Sequence, residues 1–276
     1  MAAARKQALD IAPEAAARLG WSAVEAARIG FYVNQAGEQI DWRGAVETAR
    51  IAKTSITPDD PLPTPDEVTF GVTEVQVTNE TTLMAARRFV ESGLEPLVLN
   101  FANGVQPGGG FLYGARAQEE VLCRSSALFE TLVDDPMYEH HWDRERPDST
   151  DWAIHSPGVP VFRDDDGTEL SDFWLVDFLT CAAPYAPDVG QPRSAELLQK
   201  RIIRVLAIAR AFRYRSLVLG AWGCGAFGND TRRTAGNFRE ALENEFCGAF
   251  SDVVFAITDW SPERKTLGPF LDVFEG

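Results

Sequence analysis

Two adjacent acids, Glu119 and Glu120, follow Gln118 and stand seven residues beyond a run of three glycines, Gly108, Gly109 and Gly110. A carboxylic acid can protonate a leaving group and then, as carboxylate, accept a proton from water. Neighbouring side chains diverge by about 100° on a helix and about 180° on a strand, so this pair does not flank a substrate from two sides. The spacing predicts one glutamate performing both transfers. It does not say which. On a helix that buries Val121, Leu122, Leu128, Phe129 and Leu132, both acids fall off the apolar stripe. A helix start also stabilises a carboxylate, whereas a general acid must hold its proton more tightly. Burial by substrate, a nearby phosphate or the neighbouring acid would each supply that. The plain alternative is an ordinary acidic first turn of a helix.

Two glycine-rich loops follow apolar runs. Asn103-Gly104-Val105-Gln106-Pro107-Gly108-Gly109-Gly110 comes after PLVLNF, and Gly220-Ala221-Trp222-Gly223-Cys224-Gly225-Ala226-Phe227-Gly228 comes after SLVL. Open α/β sheets bind ligands beyond the carboxyl ends of their strands, where bare backbone allows close approach. Two such loops predict a ligand clamped from two sides. Gly223 to Gly228 spells the dinucleotide fingerprint G-x-G-x-x-G, but its setting is wrong. Asn229, Asp230 and Thr231 intervene before the next helix, and the following strand ends at Asp259, 36 residues past Gly223. The fingerprint wants an acid roughly 20 residues on. The loop is expected to cradle a diphosphate through backbone N–H groups, in another fold.

The elements that must hold these loops alternate. Strands are predicted at 72–78, 96–101, 173–180, 216–220 and 252–258, and helices at 81–91, 117–133, 194–214 and 233–246. Such alternation means an α/β/α sandwich around a mixed or parallel sheet. The charged, proline-rich stretch 134–171 reads as a surface insertion. The first 55 residues read as helical, at 2–19 and 42–52, and the prolines of 59–65 form a connector. Residues 1–65 are expected to be a helical extension packed on the core, and 66–276 the ligand-binding domain.

Three glycines, seven residues and Gln118-Glu119-Glu120, in that order, resemble the signature of poly(ADP-ribose) glycohydrolases. The stretch from Asn100-Phe101-Ala102-Asn103 to Ser126, with the loop 223–227, is similar to the bacterial branch of that family. The likeness spans about 73–258. It implies a macrodomain-like three-layer α/β/α fold with a mixed sheet and an N-terminal helical extension. It implies hydrolysis of ribose–ribose O-glycosidic bonds in poly(ADP-ribose), releasing ADP-ribose through an oxocarbenium-like transition state. The setting would be reversal of ADP-ribosylation in the DNA damage response. The family's acid/base matches Glu120, with Glu119 holding a hydroxyl of the leaving ribose and Gln118 positioning the same region. Asn103 would bind the ribose being cleaved and Phe227 would press on it. Gly223, Cys224, Gly225 and Ala226 would offer N–H groups to the diphosphate, and Gly108, Gly109 and Gly110 complete the substrate-binding set. The strand end at Asn79-Glu80 is where a macrodomain would read the base. No metal or cofactor is expected, and the partners are poly(ADP-ribose) and ADP-ribose. Two other readings stay open: a non-catalytic ADP-ribose-binding module, and a hydrolase of single ADP-ribose units on protein or nucleic acid. The paired acids favour an enzyme, because a reader needs none.

Composition bounds the rest. The 276 residues are 45% hydrophobic and 24% charged, an ordinary globular balance. A net charge of −15 argues against a broad nucleic-acid surface. No apolar run reaches the roughly 20 residues of a membrane helix, and MAAARKQALD lacks the apolar region of a secretion signal. Cys123, Cys181, Cys224 and Cys247 lie far apart, with no zinc-type spacing. A cytoplasmic, reducing setting is expected. Cys224 reads as a packing residue rather than a nucleophile, and Phe227 has a second reading as a core plug. His140 and His141, just before Asp143, are expected to be solvated rather than metal-bound. The basic run 193–215 would steer an anionic polymer or form a solvated helix face.

Overall fold

The computed structural model describes residues 9–65 and 69–276, so the start of the expected first helix lies outside the described residues. Helix α1 (Pro13–Ile29) leads into a hairpin of β1 (Phe31–Val33) and β2 (Gln39–Asp41), then α2 (Arg43–Ala52) and β3 (Thr54–Ile56). The N-terminal region is therefore less purely helical than its alanines and arginines suggest, and β3 joins the main sheet. The other strands are β4 (Glu74–Thr78), β5 (Pro96–Ala102), β6 (Ala153–Arg163), β7 (Glu169–Ala182), β8 (Ser216–Leu219) and β9 (Asp252–Ala256). They form a seven-stranded sheet in the order β3-β6-β7-β5-β8-β9-β4. From β7 to β4 every pair is parallel, whereas β3–β6 and β6–β7 are antiparallel.

Central β5 shows why its run is continuously apolar. Leu97 and Leu99 face one core and Val98 faces the other, so both faces of the strand are covered. One face is covered by α1, α2 and the helices α3 (Thr82–Glu91), α4 (Gln118–Ser125), α5 (Leu128–Leu132) and α6 (Pro136–Trp142). The other is covered by α8 (Arg193–Ala211), α9 (Thr231–Glu243) and α10 (Leu267–Phe274); a short α7 (Ala186–Val189) precedes α8. Thr81 caps α3 by accepting the Met84 N–H at 3.1 Å.

Two expectations fail here. The stretch 117–133 is two helices, because Ser126 leaves the helix to bridge Val161 of β6. Its hydroxyl donates to Leu122 O at 2.7 Å and accepts the Leu128 N–H at 3.1 Å, tying both helices together. The stretch 134–171 is no surface insertion. It supplies α6 and the long strand β6, most of which is buried. Charged residues at its turns hide the strand pattern between them.

Candidate active site

The carboxyl ends of β5, β7, β8 and β9 lie along one edge of the sheet, because these strands are parallel. A cleft of about 780 Å³ opens there. Asn103, Gln118, Glu119 and Glu120 line one wall, and Ala221 to Gly223 with Gly225 to Phe227 line another. The two glycine loops and the acidic pair thus meet in one place.

Gln118 extends the sheet. Strand β8 pairs with β5 only as far as Val98, while β7 covers the other side to Ala102. Beyond β8 the Gln118 amide stands in for a strand: Nε2 donates to Leu99 O at 2.7 Å and Oε1 accepts the Phe101 N–H at 2.9 Å. That pins the start of α4 to the end of β5.

Both acids are buried, although neither belongs to an apolar stripe. The start of α4 is driven under the first glycine loop, so sequence periodicity does not govern it. Glu119 Oε2 accepts the Asn103 N–H at 2.6 Å, and Oε1 lies 3.3 Å from Asn100 Nδ2. Burial pushes the Glu119 carboxyl up to about 8, and the charge of Glu120 adds to this against the opposing hydrogen bonds. Glu120 Oε1 accepts the Gly110 N–H at 3.0 Å, while its Oε2 is buried without a hydrogen-bond partner among the described residues. A Cβ on Gly109 would fall onto Glu120 Oε1 and lie 3.0 Å from Glu119 Oε2. The two carboxylates therefore converge on one spot and do not flank it. Gly109 also has φ +57°, a conformation that disfavours any side chain. Gly108 sits against Phe111 and Cys123, and Gly110 against Ala115. These three glycines make room for the protein's own groups.

Asn103 donates its backbone N–H to Glu119 and uses Oδ1 to cap the N–H groups of Val105 and Gln106 at 2.9 and 3.1 Å. Its amide nitrogen has no hydrogen-bond partner among the described residues, and the residue lines the cleft.

The second loop is held from behind. Asn229 Nδ2 donates to Pro184 O at 2.9 Å and to Gly223 O at 3.1 Å, and its Oδ1 accepts the Ser194 hydroxyl at 2.7 Å. Gly223 has φ +74° and leaves no space for a Cβ between Ala183 and Asn229. Phe227 is half-buried, edge-on to Tyr185 at 5.7 Å, and its carbonyl accepts the Ala186 N–H. The N–H groups of Gly228 and Asn229 turn inward to Gly225 O and Gly223 O, and that of Cys224 turns to Ala221 O at 3.1 Å. Those of Gly223, Gly225, Ala226 and Phe227 have no acceptor among the described residues. Cys224 differs in this from its expected diphosphate role, because the turn from Ala221 takes its N–H. Its thiol is pushed up to about 11 by burial, which leaves it protonated at neutral pH.

The model of the family described as microbial-type PARG, catalytic domain, matches residues 22–164. Poly(ADP-ribose) glycohydrolase (PARG) from Thermomonospora curvata superposes with a TM-score of 0.89 at 37% identity, over 95% of this chain and 100% of that one. The chain belongs to the microbial-type PARG family. The T. curvata enzyme bound to the inhibitor ADP-HPD matches at 39% identity over the same shares, with a TM-score of 0.88. PARG from Deinococcus radiodurans in complex with ADP-ribose matches at 39% identity over 83% of this chain and 97% of that one, with a TM-score of 0.76. No curated protein sequence matches the chain. The PARG family is one of enzymes, and the fold is its macrodomain-like α/β/α sandwich.

Asn100, Thr180, Asn229 and Asp165 support or line this cleft, and the sequence pattern assigns none of them a role. Asn100, fully buried on β5, and Thr180 on β7 stand behind Glu119, joined at 3.2 Å. Asn229 reads as a loop residue until its side-chain partners Pro184, Gly223, Phe227 and Ser194 are seen. Asp165 lines the cleft from the turn between β6 and β7, buried, with its carboxyl pushed up to about 6 by desolvation. Asn79 ties the ends of β4 and β9 together through Asp259, and Glu80 lines the cleft while accepting from Arg88 at 2.8 Å. His141 is a clear correction: it is buried, not solvated, and hydrogen-bonded under the first loop. The basic run also departs from expectation. Arg201 is fully buried, and Arg204 reaches the carbonyls of Thr57 and Asp60. Among the described residues no helix is long and apolar enough to cross a membrane.

Proposed function

We propose that this chain hydrolyses the ribose–ribose O-glycosidic bonds of poly(ADP-ribose) and releases ADP-ribose, with Glu120 as its single acid/base. The observation that carries this reading is Glu120 Oε2, buried in the cleft wall without a partner among the described residues, beside a carboxyl raised to about 8. Glu120 donates a proton to the leaving glycosidic oxygen as the bond to the anomeric carbon breaks. An oxocarbenium-like ribose forms, water attacks it, and Glu120 takes the water's proton. Because the acids converge on one side, the second carboxyl does not act from the opposite face. Glu119, fixed by Asn100 and Asn103, holds a hydroxyl of the leaving ribose. The unbonded amide of Asn103 meets the ribose being cleaved, and Phe227 presses on it. The N–H groups of Gly223, Gly225, Ala226 and Phe227 bind the diphosphate without a basic side chain, which suits an acidic protein. Of the expected extension, residues 9–65 brace the catalytic domain: Gly20 of α1 packs directly on the backbone of Phe111.

The test is Glu120→Gln. Release of ADP-ribose from polymer should fall by at least about 10²- to 10⁴-fold, with ADP-ribose affinity retained by calorimetry. Wild-type turnover would move the acid/base role elsewhere. Activity on singly ADP-ribosylated protein but not on polymer would replace the substrate.

A further inference from the structure

Asn103 is gripped on its amino side by Glu119. What grips its carboxyl side is the next peptide: the Gly104 carbonyl lies 3.0 Å from His141 Nδ1. A carbonyl only accepts, so Nδ1 carries the proton. On the other side of the ring the Thr150 backbone N–H donates to Nε2 at 3.0 Å, so Nε2 carries the lone pair. The two bonds together define a neutral ring of one tautomer. Desolvation acts the same way and lowers the imidazole to about 4.

The surroundings leave Gly104 no freedom. A Cβ there would collide with Ser149 Oγ and lie 3.2 Å from Ala182 Cβ and 3.4 Å from His141 Nδ1. This floor is fastened from below by the fully buried Arg201, which donates to Ala182 O at 2.9 Å and to Asp148 O. Helix α6, which carries His141, is itself anchored. Its cap Asp135 accepts from Met137 N–H, from the Ser55 hydroxyl at 3.0 Å and from Lys53 at 3.0 Å. One turn before His141, Tyr138 is buried near Glu119, whose charge, after burial itself, raises its phenol.

We propose that His141 is a positioning residue of the active site: through the Gly104 carbonyl it sets the pose of Asn103 and the direction in which the Asn103 amide meets the ribose. The proposal rests on the role given to Asn103 above. It makes α6 and the segment to Thr150 a brace for the ribose-binding loop.

Two substitutions separate the ring's two jobs. Asparagine places an amide nitrogen where Nδ1 stands, and glutamine reaches the Nε2 position instead. His141→Gln should lower turnover of poly(ADP-ribose) by about 10- to 100-fold, as expected of a small displacement in a reacting geometry. His141→Asn should recover most of that loss, even where both variants melt at lower temperature. In an Asn103→Ala background the penalty of His141→Gln should shrink to under about twofold, because the groups act in series. Equal losses in the two His141 variants, measured well below their melting temperatures, overturn the proposal, as do additive losses with Asn103→Ala. Wild-type turnover in Asn103→Ala alone overturns the reading of Asn103 and this proposal with it. Should His141→Gln fail to fold, imidazole nitrogen NMR on the unaltered protein decides. A protonated Nδ1 whose resonance shifts on saturation with ADP-ribose supports the proposal, and a protonated Nε2, or no shift, overturns it.

Discussion

Gly109 and Gly225 sit in loops of similar composition after the paired strands β5 and β8, yet a methyl group added to each would meet opposite surroundings. At Gly109 it would strike the Glu120 carboxylate in a left-handed backbone; at Gly225 nothing lies within 4 Å and φ is not positive. The first loop is closed around the protein's own acids and supplies N–H groups to them. The second is pinned from behind by Asn229, and the N–H groups of its cleft-lining residues Gly223, Gly225, Ala226 and Phe227 have no acceptor among the described residues. Glycine in the first loop thus makes room for the two carboxylates, and at Gly225 in the second it borders open space. Composition alone gave both loops the same role.

The contrast can be broken at four points. The largest effect is expected from Gly109→Ala. The Cβ displaces Glu120, so turnover of polymer should drop by at least about 10²-fold. The left-handed backbone should also cost about 1–2 kcal/mol, seen as a lowered melting temperature. Turnover near wild type would mean that the carboxylate does not need its present position.

Gly225→Val should do the reverse. The open site and ordinary φ predict a change in stability within about 0.5 kcal/mol. The branched side chain stands over the unbonded N–H groups, so ADP-ribose affinity should weaken by about tenfold or more in calorimetry, the size of a lost hydrogen bond to a charged group. Unchanged affinity would take the second loop out of the site.

A smaller effect follows from the buried acid of the first loop. Glu119 titrates at about 8 in the folded protein and about 4.3 in an unfolded chain. Between these values the folded protein holds the extra proton. Its contribution to stability is complete below the unfolded value and is lost as pH rises toward 8. Glu119→Gln, which mimics the protonated acid, removes that dependence. The melting temperature of the variant minus that of the wild type should therefore grow between about pH 5 and pH 8. A difference that stays flat would place the Glu119 titration outside this window.

The smallest expected effect is none. Among the described residues no group of three His, Cys, Asp or Glu side chains is arranged to hold a metal ion. Dialysis against a chelator should leave turnover unchanged; loss restored by magnesium would contradict a purely acid–base site.

Much of the site was legible in order along the chain. Gln118-Glu119-Glu120 beyond three glycines, and a glycine loop after each of two apolar strands, pointed to one cleft because strand ends of a parallel sheet share an edge. The alternation of 96–101, 173–180 and 216–220 with helices determined the layered fold, since strands buried on both faces read as unbroken apolar runs. What tertiary structure alone decided is which neighbours each polar atom meets. Glu119 and Glu120 lie off any apolar stripe, yet packing of α4 beneath the glycine loop buries both and raises one. Strand β6 hides between charged turns, so the stretch 134–171 looks like surface, and His141 within it looks solvated. It is buried, with its ring held between the carbonyl of Gly104, 37 residues away in sequence, and Thr150. Hydrogen-bond partners far apart along the chain leave no periodic trace, so local composition reports the loops but not the side chains that hold them.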